Sequence, residues 1–200
     1  MKDMDKNKIK EFFNGWASRW DGDMVKDDGI MNLILDNAGV SEGKDILDVA
    51  CGTGVMIDYY LERGVRSVTG IDFSERMCEI ASAKYGSRKN VRIVCADIEE
   101  YTGDIRYDAI IVYNSFPHFP DGERLISHLA SLLKKGGVLT VAHGMSRDRI
   151  NAHHSNVSEQ IKCELMEADE LAGIFSNHLK VTSVISDDKM YQVAGKRPTE

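Results

Sequence analysis

The length, composition and charge of the chain are those of a single acidic domain. It has 200 residues, of which 42% are hydrophobic, enough for one domain with a full core but leaving little room for another. Its formal net charge of -7 at pH 7 argues against broad binding to nucleic acids or anionic membranes, because such binding relies on basic surface.

The cysteines and the N-terminal residues indicate in which cellular compartment the protein is found. The cysteines at 51, 78, 95 and 163 are scattered without paired spacing, so we expect free thiols in a reducing compartment. Residues 1–10 are charged and contain no apolar stretch, so we expect no signal peptide and no membrane span. We therefore expect a cytoplasmic protein.

Hydrophobic periodicity predicts a helical N-terminal segment followed by alternating strands and helices. We expect residues 1–40 to form a helical cap or lid packed on residues 41–200, within one domain overall. The predicted helices lie near 5–20, 24–38, 54–63, 74–84, 121–134 and 167–177. The predicted strands lie near 45–50, 67–71, 91–96, 108–113, 137–143, 179–186 and 189–195. This order predicts an α/β fold, a doubly wound, mostly parallel seven-stranded sheet with helices on both faces and an antiparallel C-terminal strand.

Three local signals help to place the element ends. Ser74 precedes a helical stretch and is a predicted N-cap. Gly136-Gly137 is expected to stop the helix that ends near residue 134. Asp187-Asp188 is expected to form the turn between the last two strands.

The run from Ile46 to Gly54, Ile-Leu-Asp-Val-Ala-Cys-Gly-Thr-Gly, is the most informative segment of the chain. A buried strand breaks here into a Gly-x-Gly turn, whose missing side chains let the backbone turn tightly and approach a ligand closely. The next predicted strand ends at Asp72, which is placed to accept hydrogen bonds from ribose hydroxyls. Strand, glycine turn, helix and acid together predict a site for a nucleoside cofactor.

Two features distinguish this segment from a dinucleotide site. Ile57 stands where the third glycine of a Gly-x-Gly-x-x-Gly fingerprint would be. Asp48 precedes the glycines at the strand end, where its carboxylate would repel a pyrophosphate but suits a ligand that carries an ammonium group. A nucleotide-dependent oxidoreductase is therefore disfavoured.

The pattern Leu-Asp-x-x-Cys-Gly-Thr-Gly resembles motif I of the class I S-adenosylmethionine-dependent methyltransferases of small-molecule type. The resemblance runs from Phe12 to about Lys196, and it implies a Rossmann-like fold and S-adenosylmethionine as cofactor. It implies that Asp48 binds the methionine ammonium, the glycine amides its carboxylate and Asp72 the ribose. For Asp97, a helix N-cap or a solvated acid remains an alternative to a role at the adenine. The implied cofactor-binding residues are Asp48, Ala50, Gly52, Gly54, Asp72, Phe73, Met77, Asp97, Ile98 and Asn114.

The segment after the fourth strand indicates the kind of acceptor. The Asn-Pro-Pro-aromatic tetrad, which marks family members that methylate amino groups of bases or protein amides, is absent. Phe116 and His118 instead indicate a mostly apolar pocket for a small molecule. We therefore predict methyl transfer to a small-molecule acceptor, whose methylated atom and identity the sequence leaves open, as it does the oligomeric state.

His118 and His143 are candidates for a catalytic base. They follow the fourth and fifth predicted strands, so both are expected at the rim where the acceptor meets the methyl donor. An imidazole, whose ordinary pKa is about 6.5, can take a proton from a hydroxyl, thiol or amine. A packed or surface imidazole is the alternative for each.

The segment 143–154 carries further candidates. Arg149 is expected to line the acceptor pocket, whereas functional and structural roles weigh about equally for His153 and His154. Together with His143 and Cys163, these histidines are considered as ligands of a metal ion. Their spacing matches no zinc pattern, so we expect no metal.

The aromatic residues near the N-terminus have two interpretations. Trp16 and Trp20, with Phe12 and Phe13, resemble the segment that many small-molecule methyltransferases fold over the active site, which places both tryptophans in the acceptor pocket. A helix stripe packed on the sheet fits their spacing equally well, and a lid must also pack.

One alternative function differs in class. A non-catalytic sensor or partner protein would bind S-adenosylmethionine without turnover. The polar side chains His118, His143 and Arg149 argue against it.

Overall fold

A computed structural model describes residues 5–24, 26–155 and 164–199 of the chain. Its strands are β1 (Asp45–Val49), β2 (Ser67–Asp72), β3 (Val91–Cys95), β4 (Tyr107–Tyr113), β5 (Leu133–His143), β6 (Lys180–Ser186) and β7 (Tyr191–Lys196). Its helices are α1 (Lys6–Trp16), α2 (Trp20–Asp23), α3 (Asp28–Asn37), α4 (Ile57–Glu62), α5 (Glu75–Tyr85), α6 (Gly122–Leu132), α7 (Arg147–Ser155) and α8 (Ala168–Ser176). Short 3₁₀ turns, Ile98–Glu100 and Phe116–His118, follow β3 and β4. Within these described ranges, no helix has the length and apolar character needed to span a membrane.

The strands of the described residues form one seven-stranded sheet in the order β3-β2-β1-β4-β5-β7-β6. The pairs among β1 to β5 are parallel, whereas β7 is antiparallel to both β5 and β6. This confirms the predicted fold class. The chain order reverses between β1 and β4, so the loops that follow these strands meet at the carboxyl edge of the sheet, where ligands bind in such folds.

Apolar side chains cover both faces of the sheet, which explains the nearly continuous hydrophobic runs of its central strands. All of β1 is buried. One cluster packs α6 and α8 against β4 and β5, through Leu129 and Phe175 among others. Another packs α3 and α4 against β1 and β4, through Leu35 and Tyr60 among others. Burial on both faces makes the sheet a firm base for the loops at its carboxyl edge.

The prediction of one continuous helix over residues 5–20 is wrong. A turn at residues 17–19 separates α1 from α2. The Asp21 carboxylate on α2 accepts a hydrogen bond from the Thr53 hydroxyl over 2.6 Å and pairs with the Lys84 ammonium at 2.5 Å. The break turns α2 onto the glycine turn, a tertiary contact that helical periodicity does not encode.

The prediction that Gly136-Gly137 stops a helix is also wrong. α6 ends at Leu132, and β5 begins at once with Leu133, which pairs with Tyr107 of β4. The register between β5 and β4 then shifts. Gly136 takes a φ of 76°, and a Cβ at Gly137 would lie 2.9 Å from the Tyr107 carbonyl oxygen. The glycines therefore serve a bulge inside the strand.

The other two local predictions are confirmed. The Ser74 hydroxyl caps α5, because it accepts a hydrogen bond from the Met77 N–H over 3.2 Å. The Asp187 carboxylate accepts from the backbone N–H groups of Lys189 and Met190, each over 2.8 Å. These bonds hold the turn that joins β6 to β7.

Candidate active site

A cleft lies at the carboxyl edge of the sheet, where β1, β2, β3 and β4 end, and its empty space of about 1000 Å³ includes the opening to solvent. The lining includes these sequence-predicted residues: Trp20, Asp48, Ala50, Gly52, Asp72, Phe73, Met77, Asp97, Ile98, Asn114 and His118. Apart from Trp20, which lies in the N-terminal segment, these residues lie at or after the ends of different strands, so the sheet topology brings them together.

The glycine turn after β1 is built from left-handed backbone. Ala50, Gly52 and Gly54 have φ values of 52°, 55° and 87°. A Cβ at Gly52 would lie 3.7 Å from Nε1 of Trp20, which is ordinary contact, so packing against the protein does not require glycine there. A Cβ at Gly54 would lie 2.6 Å from the Tyr85 ring. Gly52 thus keeps the cleft side of the turn open, whereas Gly54, outside the cleft lining, serves packing.

The amides of both glycines donate within the protein. The Gly52 N–H donates to the Asp72 carboxylate over 2.8 Å, and the Gly54 N–H donates to the Cys51 carbonyl over 2.9 Å. The resemblance assigned these amides to the methionine carboxylate. In the structure they hold the turn itself.

Asp48 is a buried acid on the cleft wall. Its side chain is 2% exposed, and its Oδ2 atom has no hydrogen-bond partner among the residues that the structure describes. Burial raises the pKa of Asp48 to about 8, the Tyr60 hydroxyl lowers it, and the charge of Asp72 raises it. A buried carboxyl oxygen without a hydrogen-bond partner is costly, and a positively charged ligand would offset that cost.

Asp72 is held in place at the end of β2. Its Oδ2 atom accepts from the Gly52 N–H, and its Oδ1 atom accepts from the Ser74 N–H over 2.9 Å. Burial raises the pKa of Asp72, while the backbone amides lower it. Each carboxylate oxygen keeps a further lone pair for a hydroxyl donor, because a carboxylate has about four acceptor sites.

Asp97 is an N-cap, which is one of its two predicted alternatives, and it also lines the cleft. It caps the 3₁₀ turn after β3, since its Oδ1 atom accepts from the Glu99 N–H over 3.0 Å. Its Oδ2 atom accepts from the Lys6 ammonium over 2.5 Å, and Lys6 pairs with Glu99 as well. α1 is therefore attached to this end of the cleft.

Asn114 takes a left-handed conformation directly after β4, with a φ of 51°. Its N–H donates to the Ala142 carbonyl over 2.9 Å, and its Oδ1 atom accepts from the Gly144 N–H over 3.1 Å. These bonds tie the ends of β4 and β5 together. Such backbone strain in a residue other than glycine is concentrated at functional sites.

His118 lies in the cleft and His143 does not line it. The His118 ring meets the Phe13 ring edge to face, with 5.2 Å between centroids. His143 is 2% exposed, and its ring centroid lies 5.9 Å from that of Tyr191. Position after a parallel strand does not by itself decide which way a side chain points, so the two histidines differ in access to the cleft.

Three further predicted residues lie outside the cleft lining. Phe116 is buried in the core that contains α6. Trp16 is 37% exposed, and the Arg19 guanidinium lies 4.8 Å from its ring centroid. Arg149 is exposed on α7.

The prediction that the chain binds no metal concerns histidines and a cysteine that the structure describes only in part. The side chains of His153 and His154, and all of Cys163, lie outside the described residues. In the part that is described, no group of three or more His, Cys, Asp or Glu residues is placed to hold a metal ion.

Several cleft residues were not singled out from the sequence, namely Lys6, Met24, Tyr113 and Ser115. Tyr113 and Ser115 flank Asn114, so their position at a strand end was a usable signal. Lys6 and Met24 reach the cleft only because the N-terminal segment folds across the edge of the sheet. No local pattern marks them.

Residues 5–24, called the cover segment below, make polar contacts with three cofactor-side loops. Asn14 Oδ1 accepts from the Ser74 hydroxyl over 2.7 Å and from the Arg76 N–H over 3.1 Å. Asp21 contacts the glycine turn, and Lys6 contacts the loop after β3. The cover segment therefore bridges the loops after β1, β2 and β3.

Comparison with known proteins supports the predicted resemblance. The family model described as a methyltransferase domain matches residues 46–137, which contain the glycine turn, Asp72 and Asp97. Over this region the chain is similar to the class I S-adenosylmethionine-dependent methyltransferases. The predicted resemblance, and S-adenosylmethionine as the cofactor that it implies, are confirmed.

Curated relatives of the chain are O-methyltransferases. The chain is 37% identical to the ubiquinone biosynthesis O-methyltransferase of Coxiella burnetii over 100 residues. This aligned region covers 49% of the chain and 42% of that protein. Over 190 residues it is 26% identical to malonyl-[acyl-carrier protein] O-methyltransferase 1 of Ilyobacter polytropus, covering 92% of the chain and 71% of that protein. The chain thus spans less than half the length of the Coxiella relative.

Solved structures share the fold. The magnesium protoporphyrin IX methyltransferase of Synechocystis with bound S-adenosylhomocysteine (SAH) has a TM-score of 0.74 at 18% identity, covering 96% of the chain and 100% of that chain. The N-methyltransferase NodS of Bradyrhizobium japonicum has a TM-score of 0.67 at 15% identity, covering 87% and 99%. At these identities the likeness shows the fold alone.

Proposed function

We propose that the chain transfers the methyl group of S-adenosylmethionine to a small-molecule acceptor and releases SAH. The observation that carries this proposal is the division of the cleft. Asp48 lies near the end of β1, Asp72 ends β2 and Asp97 follows β3. The lining residues that follow β4 carry no carboxylate, ammonium or guanidinium group. An acidic side beside an uncharged, largely apolar side suits a cationic nucleoside next to an apolar acceptor.

The residues present fit the cofactor. Asp48, whose Oδ2 atom lacks a partner among the described residues, would hold the methionine ammonium. Asp72 would accept from the ribose hydroxyls, and Asp97 with Ile98 would hold the adenine. Phe73, Met77 and Asn114 complete this side of the cleft.

The chemistry asks little of the protein beyond alignment and proton transfer. When bound, S-adenosylmethionine supplies a methyl group on a positively charged sulfur, which makes that methyl electrophilic. The apolar side chains of the cleft exclude water and orient the acceptor. We propose that His118, rather than His143, takes the proton of the acceptor through a ring nitrogen, because His118 lines the cleft.

We propose that the cover segment, part of the predicted lid at residues 1–40, closes the cleft over the bound cofactor. Its contacts through Lys6, Asn14 and Asp21 support this role. Phe13 and Trp20 line the cleft from the same segment. A cover held by a few polar contacts can open for exchange and still exclude water when closed.

We propose that the protein acts in the cytoplasm and that it does not bind nucleic acid. The net charge of -7 supports the second point, since it opposes binding to a polyanion. Cys51, Cys78 and Cys95 are free thiols, which suits a reducing compartment.

A binding and turnover assay tests the proposal. Calorimetry should show binding of S-adenosylmethionine and none of NADH. SAH release is then measured with hydroxyl, thiol and amine acceptors, with Asp72→Ala as the inactive reference. Binding of S-adenosylmethionine without turnover of any acceptor would favour a non-catalytic sensor. Binding of NADH instead of S-adenosylmethionine would favour a nucleotide-dependent oxidoreductase.

A further inference from the structure

The part of the cleft that would hold the acceptor carries no permanently charged side chain. We call it the acceptor chamber and define it by six lining residues: Phe13, Trp20, Met24, Tyr113, Ser115 and His118. In the described lining, acids are confined to Asp48, Asp72 and Asp97, and the ammonium of Lys6 is paired with Asp97.

This charge pattern discriminates between acceptors. A carboxylate or ammonium group buried without an opposite charge is strongly disfavoured. A neutral imidazole at His118, the form that can accept the proton of a hydroxyl, offers no charge to pair with a carboxylate. The chamber therefore favours an uncharged molecule.

Ser115 supplies the polar contact that such a molecule needs. It is 9% exposed, and its Oγ atom has no hydrogen-bond partner in the described part of the chain. It stands at the N-cap of the 3₁₀ turn after β4, yet its side chain makes no capping hydrogen bond there. A hydrogen bond to a ligand would satisfy this buried hydroxyl, which makes no capping bond and has no partner in the described part of the chain.

We infer that the acceptor is an uncharged, mostly apolar hydroxyl compound and that Ser115 Oγ hydrogen-bonds the oxygen that is methylated. The inference rests on the proposed function and names its substrate class. The acceptor oxygen forms its bond to the methyl carbon as the methyl–sulfur bond breaks. The electron pair of the broken bond stays on sulfur, and the hydroxyl proton passes to His118.

Matched probes on one apolar ring system test this inference. SAH-saturated protein is titrated calorimetrically at neutral pH with naphthol, naphthoate, naphthylmethylammonium and naphthalene. We expect naphthol to bind at least tenfold more tightly than either charged probe. In Ser115→Ala, naphthol should lose about three- to tenfold in affinity and naphthalene should lose none, as expected for one hydrogen bond. Ser115→Thr should retain most of the naphthol affinity, and Ser131→Ala, at an exposed serine on α6, should change nothing.

The outcomes separate this inference from the proposed function. If SAH itself does not bind, the proposed function fails. If SAH binds but a charged probe equals naphthol, no probe binds, or Ser115→Ala leaves naphthol affinity unchanged, the inference is overturned and the proposed function stands.

Discussion

The backbone N–H of Gly52 donates to the carboxylate of Asp72 over 2.8 Å, although 20 positions separate the two residues. Parallel pairing of β1 with β2, which sets Val49 opposite Ile71, brings the two loops together. The glycine turn and the acid proposed for the ribose are therefore positioned by one shared bond. A substitution that shifts either loop should therefore also shift the other.

Gly52→Ala should impair cofactor binding more than it impairs folding. A Cβ at this position meets only ordinary contacts in the protein but enters the open side of the cleft. We expect SAH affinity, measured by calorimetry, to fall at least tenfold. The left-handed conformation should cost roughly 1–2 kcal/mol of stability.

Gly39→Ala is the matched control for this substitution. Gly39 has a φ of 69°, and a Cβ there would meet nothing within 4 Å. It should lose similar stability and keep full SAH affinity. Equal SAH affinity in the two folded variants would remove Gly52 from the cofactor site.

Asp48→Asn should change how stability depends on pH. The pKa of Asp48 rises from its ordinary 3.8 to about 8 in the folded chain, so between these values the folded chain keeps a proton that the unfolded chain has lost. The stability linked to this group is full below about pH 4 and declines as the pH rises to about 8. Asparagine does not titrate. The unfolding free energy of the variant minus that of the wild type should therefore increase across this window and level off above it.

Urea unfolding at a series of pH values measures this difference. A difference that stays constant from about pH 5 to about pH 8 would contradict a protonated Asp48 in the folded chain. Saturating SAH should reduce the pH dependence of the wild type, because a ligand ammonium favours the ionised carboxylate.

Asn14→Ala should speed cofactor release. Its side chain bonds Ser74 and the Arg76 amide, so its loss frees the cover segment from the start of α5. We expect the SAH dissociation rate, followed by stopped-flow tryptophan fluorescence, to rise about three- to tenfold, in line with the loss of one or two hydrogen bonds. Asn7→Ala, an exposed position on the same helix, should leave the rate unchanged. Equal rates in both variants would show that these contacts do not retain the cofactor.

His118→Gln and His143→Gln should separate the two candidate bases. Once an acceptor is established, we expect kcat to fall about 10²–10⁴-fold in His118→Gln, with SAH affinity intact. His143, buried against Tyr191, should be replaceable with little loss of kcat in the protein that folds. The reverse result would show that His143, at the end of β5, accepts the proton. Full kcat in both variants would show that neither histidine is the base and that the protein acts by aligning the acceptor with the methyl group.

Much of the fold and the cofactor side of the cleft could be predicted from the sequence. Strand–helix alternation is a local pattern, and it defined the order of elements. Asp48, Asp72 and Asn114 could be chosen because a parallel sheet places whatever follows its strands at one edge. That rule needs only the strand ends, which hydrophobic runs mark well.

The tertiary structure alone decided the rest. Whether His118 or His143 lines the cleft depends on side-chain direction, which a position after a strand does not specify. The docking of Lys6, Asn14 and Asp21 joins segments far apart in the chain. Local periodicity records which face of a segment is apolar, but which distant loop that segment covers is set by packing and long-range hydrogen bonds, and these exist only in the folded chain.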